Sequence, residues 1–311
     1  MASSLYAHKI YNRLKSLQNP FSNNYSTINE AANLSCTPFF IIGSGRSGNT
    51  LLRSILSGNS DISIPPESYR IPFAIKRFHI FNNRSWKEIV YEVLSEFENC
   101  REFYTWNIDL KDVQKRLENI SESKRTLSNI FDELFCTYSE KHSQGSKIWG
   151  DKTPMNTLYL DWIGSVFPNS KFIHIIRDGR DVASSYIKMG RYDTILEAAN
   201  RWIKSIELAS SFGSKINENY MEIRYEDLVT KPEEIIKKTC DFINIVYDPE
   251  MLDHTKQVEK LGDTNKEHHS NLSKPISSDS IGKWKNNLSE SDQRSITKLL
   301  SNHLQRLGYV D

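Results

Sequence analysis

The sequence predicts an α/β fold in which a central parallel sheet is flanked by helices. Short apolar runs typical of buried strands alternate with stretches whose apolar residues recur at helical spacing. The first run leads directly into a glycine-rich loop and a helix, an arrangement that aims backbone N–H groups at an anion. Strands that alternate with helices imply parallel pairing through right-handed crossovers.

The stretch from Phe39 to Leu56 is the core of this prediction. Its first four residues, Phe39 to Ile42, are continuously apolar, as in a strand that is buried on both faces. Residues 43–48 read GSGRSG, a loop whose glycines permit left-handed backbone and a close approach by a ligand. Apolar residues then recur at helical spacing from Leu51 to Leu56, which predicts a helix.

The next part of the chain predicts a second strand and a helical insertion. Residues 61–64 alternate as a strand does, and Pro65-Pro66 ends it. Ser85 and Glu88 form a capping box that opens a helix to about residue 99. Helical patterns follow over 110–120 and 127–138. We interpret residues 70–145 as an insertion that covers the sheet and shapes an acceptor pocket.

The C-terminal half returns to alternating strands and helices. Its predicted strands cover 147–150, 172–176 and 221–225. Residues 177–180 are predicted to turn the chain into a helix that runs through Lys188, and the other predicted helices cover 157–167, 194–216, 232–243 and 289–307. Gly308 suits the position after the last helix. Residues 248–280 are polar and are predicted to form a mobile loop. We therefore expect an N-terminal helix and arm over 1–37 and one α/β domain over 38–311.

Composition excludes several classes of protein. The formal net charge is only +1, so no global attraction to nucleic acid or membrane is expected. The four cysteines lie far apart without metal spacing, which predicts reduced thiols and a cytoplasmic location. No apolar run has transmembrane length, and the first residues lack an apolar h-region, so we expect neither a membrane span nor a secretory signal. Its basic start has no acidic residue before Glu30, so an organelle transit peptide stays open.

The glycine loop nearly matches the nucleotide triphosphate motif G-x-x-x-x-G-K-[ST]. Gly43, Gly48 and Thr50 fit, but Asn49 replaces the lysine that reaches the β- and γ-phosphates. This change argues against ATP or GTP, and the fixed cation of the loop is Arg46 instead. The segment GRSGNTL resembles the 5′-phosphosulfate loop of sulfotransferases that use 3′-phosphoadenosine 5′-phosphosulfate (PAPS). A glycine-rich turn without a ligand is the alternative.

The resemblance to PAPS-dependent sulfotransferases extends from Gly43 to Trp284 and implies a set of site residues. The implied cofactor-binding residues are Gly45, Arg46, Ser47, Gly48, Asn49, Thr50, Arg177, Ser185 and Lys283. Arg177 and Ser185 match the pair that binds the 3′-phosphate, and the alternative for Arg177 is an ion pair with Asp178 or Asp181. Lys152 matches a lysine at the transferred sulfonate in tyrosylprotein sulfotransferases. The resemblance implies PAPS as donor, the desulfonated nucleotide PAP as product, and no metal.

Glu67 is the implied catalytic base, because its offset from Arg46 matches the glutamate of tyrosylprotein sulfotransferases. The match is incomplete, since Tyr69 stands where that family has arginine and Pro66 replaces a first glutamate. Other sulfotransferases use histidine, for which His79 and His142 are the nearest candidates in sequence. His174 is expected to be a core residue, and His268-His269 lacks further metal ligands.

The predicted function is transfer of a sulfonate group from PAPS to a hydroxyl or an amine. We expect Glu67, Lys152 and Arg46 to act in catalysis and a small molecule or natural product to be the acceptor. Nucleic acid and membranes are not expected as partners, and a homodimer stays open. The alternatives are a P-loop kinase or nucleotidase, protein tyrosine sulfation, and a nucleotide-binding module without catalysis.

Overall fold

The computed structural model describes residues 25–28, 34–262 and 272–310, without the side chains of 259 and 260. The predicted N-terminal helix, most of the predicted arm, and His268-His269 lie outside the described residues.

The described residues form a five-stranded sheet in the order β2-β3-β1-β4-β5. Its strands are Phe39–Ile42 (β1), Ile62–Ser63 (β2), Ile148–Lys152 (β3), Lys171–Ile176 (β4) and Tyr220–Arg224 (β5). Strand β2 runs parallel to β3 with Ile62 opposite Ile148, and β4 runs parallel to β5 with Phe172 opposite Tyr220. The predicted α/β class with a central parallel sheet is therefore confirmed.

Helices flank this sheet. In chain order they are Asn49–Leu56 (α1), Ile71–Phe81 (α2), Trp86–Glu98 (α3), Leu110–Glu118 (α4), Leu127–His142 (α5), Leu160–Val166 (α6), Gly179–Lys188 (α7), Ile195–Ile216 (α8), Tyr225–Thr230 (α9), Pro232–Phe242 (α10), Trp284–Asn287 (α11) and Glu290–Arg306 (α12). The capping box of Ser85 and Glu88 opens α3 as predicted, and Ser289 caps α12. After α12, Gly308 has φ +68° and Tyr309 N donates to Leu304 O, which is the predicted glycine C-terminus.

The chain divides into two compact units, which are described separately. Unit I comprises residues 1–39, 60–151 and 159–170, and unit II comprises residues 40–59, 152–158 and 171–311. The predicted boundary of one domain over 38–311 stays a prediction.

Unit I has an aromatic core. Its large buried rings include Trp106 and Phe135, from the segments between β2 and β3, and Trp149 of β3. Trp106 meets Phe135 edge-on, and Phe135 stacks on Trp149. Trp149 also donates its indole N–H to Asp132 Oδ1 at 2.8 Å, which satisfies the buried polar end of the ring.

Unit II packs α7, α8 and α12 into one apolar cluster that supports the end of β4. Trp202 of α8 is fully buried in it and donates its indole N–H to the carbonyl of Arg177 at 3.1 Å. A Cβ on Gly179 would lie 2.8 Å from the Trp202 ring, so glycine is required for this close approach. The backbone at Arg177 is consequently held by the core.

Several predicted boundaries were wrong. Strand β2 is limited to Ile62–Ser63, and the helix expected from Thr157 begins as a 3₁₀ segment, with α6 starting at Leu160. Strand β5 ends at Arg224 because Tyr225 opens α9. Helix α2 was not predicted: it has no side-chain cap at Arg70, and Pro72 in its first turn is a start signal that the prediction did not use.

The predicted mobile loop over 248–280 was partly wrong. Two 3₁₀ helices, Pro249–Leu252 and His254–Leu261, occupy its first part. Met251 and Leu261 are buried, and they anchor an otherwise polar stretch within unit II. Residues 263–271 lie outside the described residues.

Candidate functional site

The glycine loop between β1 and α1 is shaped by close contacts that exclude side chains. Gly43 has φ +143°, and a Cβ there would lie 2.5 Å from the carbonyl oxygen of Ile175. Gly48 has φ +96°, and its Cβ would lie 2.5 Å from the ring of Tyr225. Both positions require glycine for backbone conformation as well as for space.

Two side chains hold the glycine loop in shape through hydrogen bonds to its backbone. Thr157 Oγ1 accepts from Gly43 N at 2.8 Å and donates to Gly43 O at 3.0 Å. Asn49, at the position of the lysine in triphosphate loops, is buried and donates from Nδ2 to Ser44 O at 2.7 Å. Asn49 therefore closes the loop, where a lysine would extend toward a phosphate.

Arg46 has left-handed backbone, with φ +69°. An L-residue in this conformation costs roughly 1–2 kcal/mol relative to right-handed backbone. Such strain persists where the surrounding structure imposes it, and it is concentrated at ligand sites. Arg46 is thus held at the tip of the loop in a conformation that glycine would adopt more readily.

The N-terminus of α1 is open for an anion. Gly48 is its N-cap, no side chain caps the helix, and its first turn contains no acidic residue. Ser47 Oγ is buried and has no hydrogen-bond partner within the described ranges. Free N–H groups, a helix dipole and an unpartnered hydroxyl fit a phosphate or sulfonate oxygen at this end.

Two arginines and a serine lie beside the loop. Arg46 Nε donates to Ser185 Oγ of α7 at 3.0 Å, and Arg177 Nη1 donates to the carbonyl of Arg46 at 3.1 Å. Arg177 also lies over the ring of Tyr225 at 4.5 Å. The sequence-predicted cofactor residues Arg46, Arg177 and Ser185 are therefore neighbours.

Electrostatics at this cluster favour an anion. Burial and the nearby Arg177 guanidinium lower the pKa of Arg46. Arg177 is 9% exposed, and its Nε is buried without a hydrogen-bond partner in the described part of the chain. Its interaction with Asp181 spans 3.8 Å, while Asp178 pairs with Arg180 at 2.7 Å. The ion pair considered for Arg177 thus exists only with Asp181 and leaves donor capacity on the guanidinium.

Lys152 ends β3 and reaches the first turn of α1. Its side chain is deeply buried, with 1% of the residue exposed, and Nζ donates to Thr50 Oγ1 at 3.3 Å. A cation buried next to the open end of a helix adds positive potential where a transferred anionic group would sit.

Lys283 is the C-terminal member of the predicted set, and its neighbours Ser280 and Trp284 have different contacts. The Ser280 carbonyl accepts from Arg177 Nη2, so Ser280 lies at the site. Trp284 is buried beneath the Arg180 guanidinium at 4.3 Å, so it packs the segment. Lys283 lies between them with an exposed side chain.

Glu67 belongs to unit I and follows the buried Pro65-Pro66 pair. It is half-buried, and the neighbouring Ser68 donates to Asp151 Oδ1 at 3.1 Å. Tyr69 has φ +51°, so the chain turns sharply directly after Glu67 and Ser68. The role of Glu67 as base stays a prediction.

The histidines considered as alternative bases have structural contacts. His79 is buried in α2 with its ring edge against Phe78, and His142 Nε2 lies 2.9 Å from the Trp106 carbonyl. His174 is a core residue as predicted, with Nδ1 at 2.6 Å from the Tyr220 hydroxyl.

Sequence reasoning missed three residues that shape the site. Thr157 binds both backbone groups of Gly43, Tyr186 places its hydroxyl 2.6 Å from where a Cβ on Gly45 would lie, and Tyr225 packs on Gly48. Burial raises the pKa of Tyr186. The only signal in the sequence was position, since each residue follows a strand or a site motif.

Other features of the described residues concern metals and membranes. They contain no group of three or more His, Cys, Asp or Glu side chains that could hold a metal ion. None of their helices is long and apolar enough to cross a membrane. All four cysteines are free, in agreement with the predicted thiols.

Comparison with known proteins gives consistent matches. A model of the "Sulfotransferase family" matches residues 38–249. Protein-tyrosine sulfotransferase 1 of Danio rerio is 24% identical, with 98% of this chain and 83% of the relative covered. Protein-tyrosine sulfotransferase A of Caenorhabditis elegans is 27% identical, with 88% of this chain and 67% of the relative covered.

Two solved structures share the fold. The sulfotransferase domain of the Synechococcus PCC 7002 olefin synthase matches with a TM-score of 0.61 at 20% identity. The match covers 90% of this chain and 98% of that domain. The sulfotransferase domain from the curacin biosynthetic pathway has a TM-score of 0.57 at 23% identity, covering 86% of this chain and 98% of that domain.

Proposed function

The chain belongs to the sulfotransferase family, and from this premise we propose that it transfers a sulfonate group from PAPS to a hydroxyl group of an acceptor. An amine is the alternative acceptor for the same transfer. The observation that carries the proposal is the meeting of Arg46, Arg177 and Ser185 beside the uncapped N-terminus of α1. Cations, free amides and an unpartnered hydroxyl suit a nucleotide with anionic groups at both its 3′ and 5′ positions.

The residues of unit II divide the binding between them. The amides of residues 45–50 and Ser47 Oγ would hold the 5′ end of the donor, and Arg177 with Ser185 would hold the 3′-phosphate. When bound, PAPS supplies the sulfonate group that is transferred. Lys152 is buried and Arg46 is half-buried, and cations shielded from water in this way stabilise negative charge that grows during transfer more strongly than they would in water.

The observed loop favours this donor over ATP. A kinase loop uses its lysine to reach the β- and γ-phosphates, whereas Asn49 here bonds to Ser44 O within the loop. Arg46 and Lys152 supply the cations instead. We therefore rank a kinase or nucleotidase below sulfonate transfer.

Glu67 is our candidate for the group that takes the proton of the acceptor hydroxyl. The assignment rests on the resemblance in sequence. Glu67→Gln keeps the shape and removes the basicity, so kcat should fall by about 10²–10⁴-fold, the range of general base catalysis. Near-wild-type kcat with a hydroxyl acceptor would discard Glu67 and direct the search to His79.

The donor site is tested by thermal unfolding with nucleotides. PAP without added metal should stabilise the protein by about 2.7 kcal/mol at 100 times its dissociation constant. At the same concentration as PAP, ATP with Mg²⁺ should stabilise the protein less, because the lysine that reaches the β- and γ-phosphates of a triphosphate is missing. A larger stabilisation by ATP with Mg²⁺ would contradict the proposal and favour the kinase alternative.

Two acceptor classes follow from different observations. The sequence predicts a small molecule, whereas the relatives carry the name protein-tyrosine sulfotransferase, which favours a tyrosine hydroxyl in a protein. A panel of tyrosine peptides, phenols, alcohols, saccharides and amines, read by the mass gain of one sulfonate, decides between them. The cytoplasmic location and a homodimer stay predictions.

A further inference from the structure

The segment Ser280–Trp284, which we call the C-terminal segment, is bound by Asp181 in the first turn of α7, four residues after the predicted phosphate-binding Arg177. We propose that Asp181 is a positioning residue for nucleotide recognition. It fixes the C-terminal segment, and through that segment it orients Arg177 for a 3′-phosphate. The inference rests on the proposed role of Arg177, and the experiment below separates the two.

Both carboxylate oxygens of Asp181 accept hydrogen bonds from the backbone of the C-terminal segment. Oδ2 accepts from Gly282 N at 2.8 Å and Oδ1 accepts from Trp284 N at 2.9 Å. The Asp181 side chain is only 1% exposed, so these contacts are shielded from water. Hydrogen bonds from backbone amides to a buried carboxylate are stronger than neutral ones, and leaving such a charge without its donors is costly.

The segment is shaped to receive a carboxylate. Gly282 has φ +71°, and among the described residues no atom other than those of Gly282 and its two chain neighbours lies within 4 Å of the position that a Cβ would occupy. Glycine is therefore required here for backbone conformation rather than for space. The turn brings the amides of Gly282 and Trp284 onto one side, as in backbone concavities that bind anions.

Arg177 connects the segment to the glycine loop. Its guanidinium donates to the carbonyl of Ser280 and to the carbonyl of Arg46, the latter at 3.1 Å. Asp181 lies 3.8 Å from Arg177. The orientation of Arg177 thus depends on a carbonyl that belongs to the segment held by Asp181.

A second contact ties the segment to α7. Arg180 lies over the ring of Trp284 at 4.3 Å and pairs with Asp178 at 2.7 Å. Of the α7 residue Arg180, its partner Asp178 and Asp181, it is Asp181 that accepts hydrogen bonds from the backbone of the C-terminal segment, whereas Arg180 contacts the Trp284 side chain. Changing Asp181 should therefore release Ser280 while leaving the Arg180–Trp284 contact available.

Positioning and simple electrostatics predict opposite results for Asp181→Asn. If Asp181 acted only as a negative charge near the phosphate, its removal would tighten binding of 3′-phosphorylated nucleotide. If it orients Arg177 through the C-terminal segment, removal weakens that binding. A purely structural role in folding would lower stability without changing the preference between nucleotides.

The test measures the affinity of the full chain for PAP and for AMP, which lacks the 3′-phosphate, by calorimetry. In wild type PAP should bind more tightly than AMP. In Asp181→Asn the ratio of the two affinities should fall by about 10-fold or more, with AMP affinity unchanged, since hydrogen bonds to charged groups have that size. Tryptic cleavage after Lys283 and Lys285, exposed in the wild-type structure, should accelerate as the segment is released.

Three further variants are measured beside Asp181→Asn. Asp279→Asn removes an exposed acid that bonds only locally to Ser277 among the contacts described, and it should behave as wild type. Gly282→Ala strains the receiving turn and should lower the ratio in the same direction, by less, so it replaces Asp181→Asn if that variant does not fold. Asp181→Glu, which keeps the charge, should recover part of the ratio.

The outcomes are distinguishable. An unchanged or increased ratio in Asp181→Asn and in Gly282→Ala would overturn the positioning role while leaving the proposed function intact. A wild-type protein that binds AMP as tightly as PAP, or binds neither, would overturn both the role of Arg177 and the inference built on it.

Discussion

The two ends of α1 are built in opposite ways. At its N-terminus the loop has left-handed backbone at Arg46, an uncapped helix start and a buried hydroxyl on Ser47 without a partner in the described residues. At the other end, polar side chains donate to backbone carbonyls of the segment that follows α10. Arg53 Nη2 donates to Leu261 O at 2.9 Å, and Ser54 Oγ donates to His254 O at 3.1 Å.

The two ends of this short helix therefore have different roles: the loop end is suited to bind a ligand, and the far end stabilises the fold. Hydrogen-bond capacity that remains unused at the loop end is available to a ligand, whereas capacity used at the far end holds the helix in unit II. Asn59 continues the second pattern just past α1, with Nδ2 donating to Val246 O at 2.8 Å. Substitutions at the loop end should therefore affect chemistry more than folding, and substitutions at the far end should do the reverse.

The largest expected effect is on turnover at the loop end. Lys152→Met keeps most of the buried volume and removes the cation, so kcat at saturating PAPS should fall by about 10²–10³-fold. The free energy of unfolding should stay level or rise, because a buried charge is replaced by an apolar side chain. Lys298→Met, at an exposed position of α12, is the control and should change neither quantity. A wild-type kcat in Lys152→Met would remove Lys152 from the catalytic set.

The next effect is on stability at the far end. Arg53 is fully buried, and Arg53→Met deprives the Leu261 carbonyl of its donor. The free energy of unfolding should fall by about 1–3 kcal/mol, the cost of leaving a buried polar group unsatisfied. PAP affinity should remain that of wild type when measured well below the unfolding midpoint. Urea unfolding and calorimetry give the two values, with the exposed Arg294→Met as control. A large loss of PAP affinity with unchanged stability would reverse the assignment of the two ends.

The smallest expected effect concerns the backbone at Arg46. Arg46→Gly and Arg46→Ala remove the same guanidinium, but only glycine adopts φ +69° without steric cost. The glycine variant should therefore be more stable than the alanine variant by about 1 kcal/mol, measured by urea unfolding. Equal stabilities would show that the left-handed conformation is not retained in solution.

The sequence predicted those parts of the site whose signals are local. An apolar run, spaced glycines and a following helix mark the anion loop within residues 39–56, and the caps at Ser85 and Ser289 are each readable over four residues. Helix α2 was not predicted as an element because it lacks a cap and carries apolar residues on several faces. Local signals therefore located the loop well and helix boundaries less well.

Contacts between distant segments could not be predicted in the same way. Thr157 bonds to Gly43 across 114 residues, and Asp181 bonds to Gly282 across 101 residues. Each depends on where the sheet and α7 place two backbones, which no local pattern records. The sequence resemblance indicated Arg177 and Ser185, but the strain at Arg46 and the grip of Asp181 emerged only from the fold.

The loop end of α1 is expected to bind the nucleotide of the donor, and calorimetric titration of PAP into Arg46→Gly is the decisive measurement. That variant relieves the backbone strain while removing the cation. PAP affinity should be at least about 10-fold below wild type, as expected when a charge-assisted contact is lost, and the free energy of unfolding should be no lower than that of Arg46→Ala. Wild-type affinity for PAP in Arg46→Gly would show that the donor nucleotide does not bind at this end of α1.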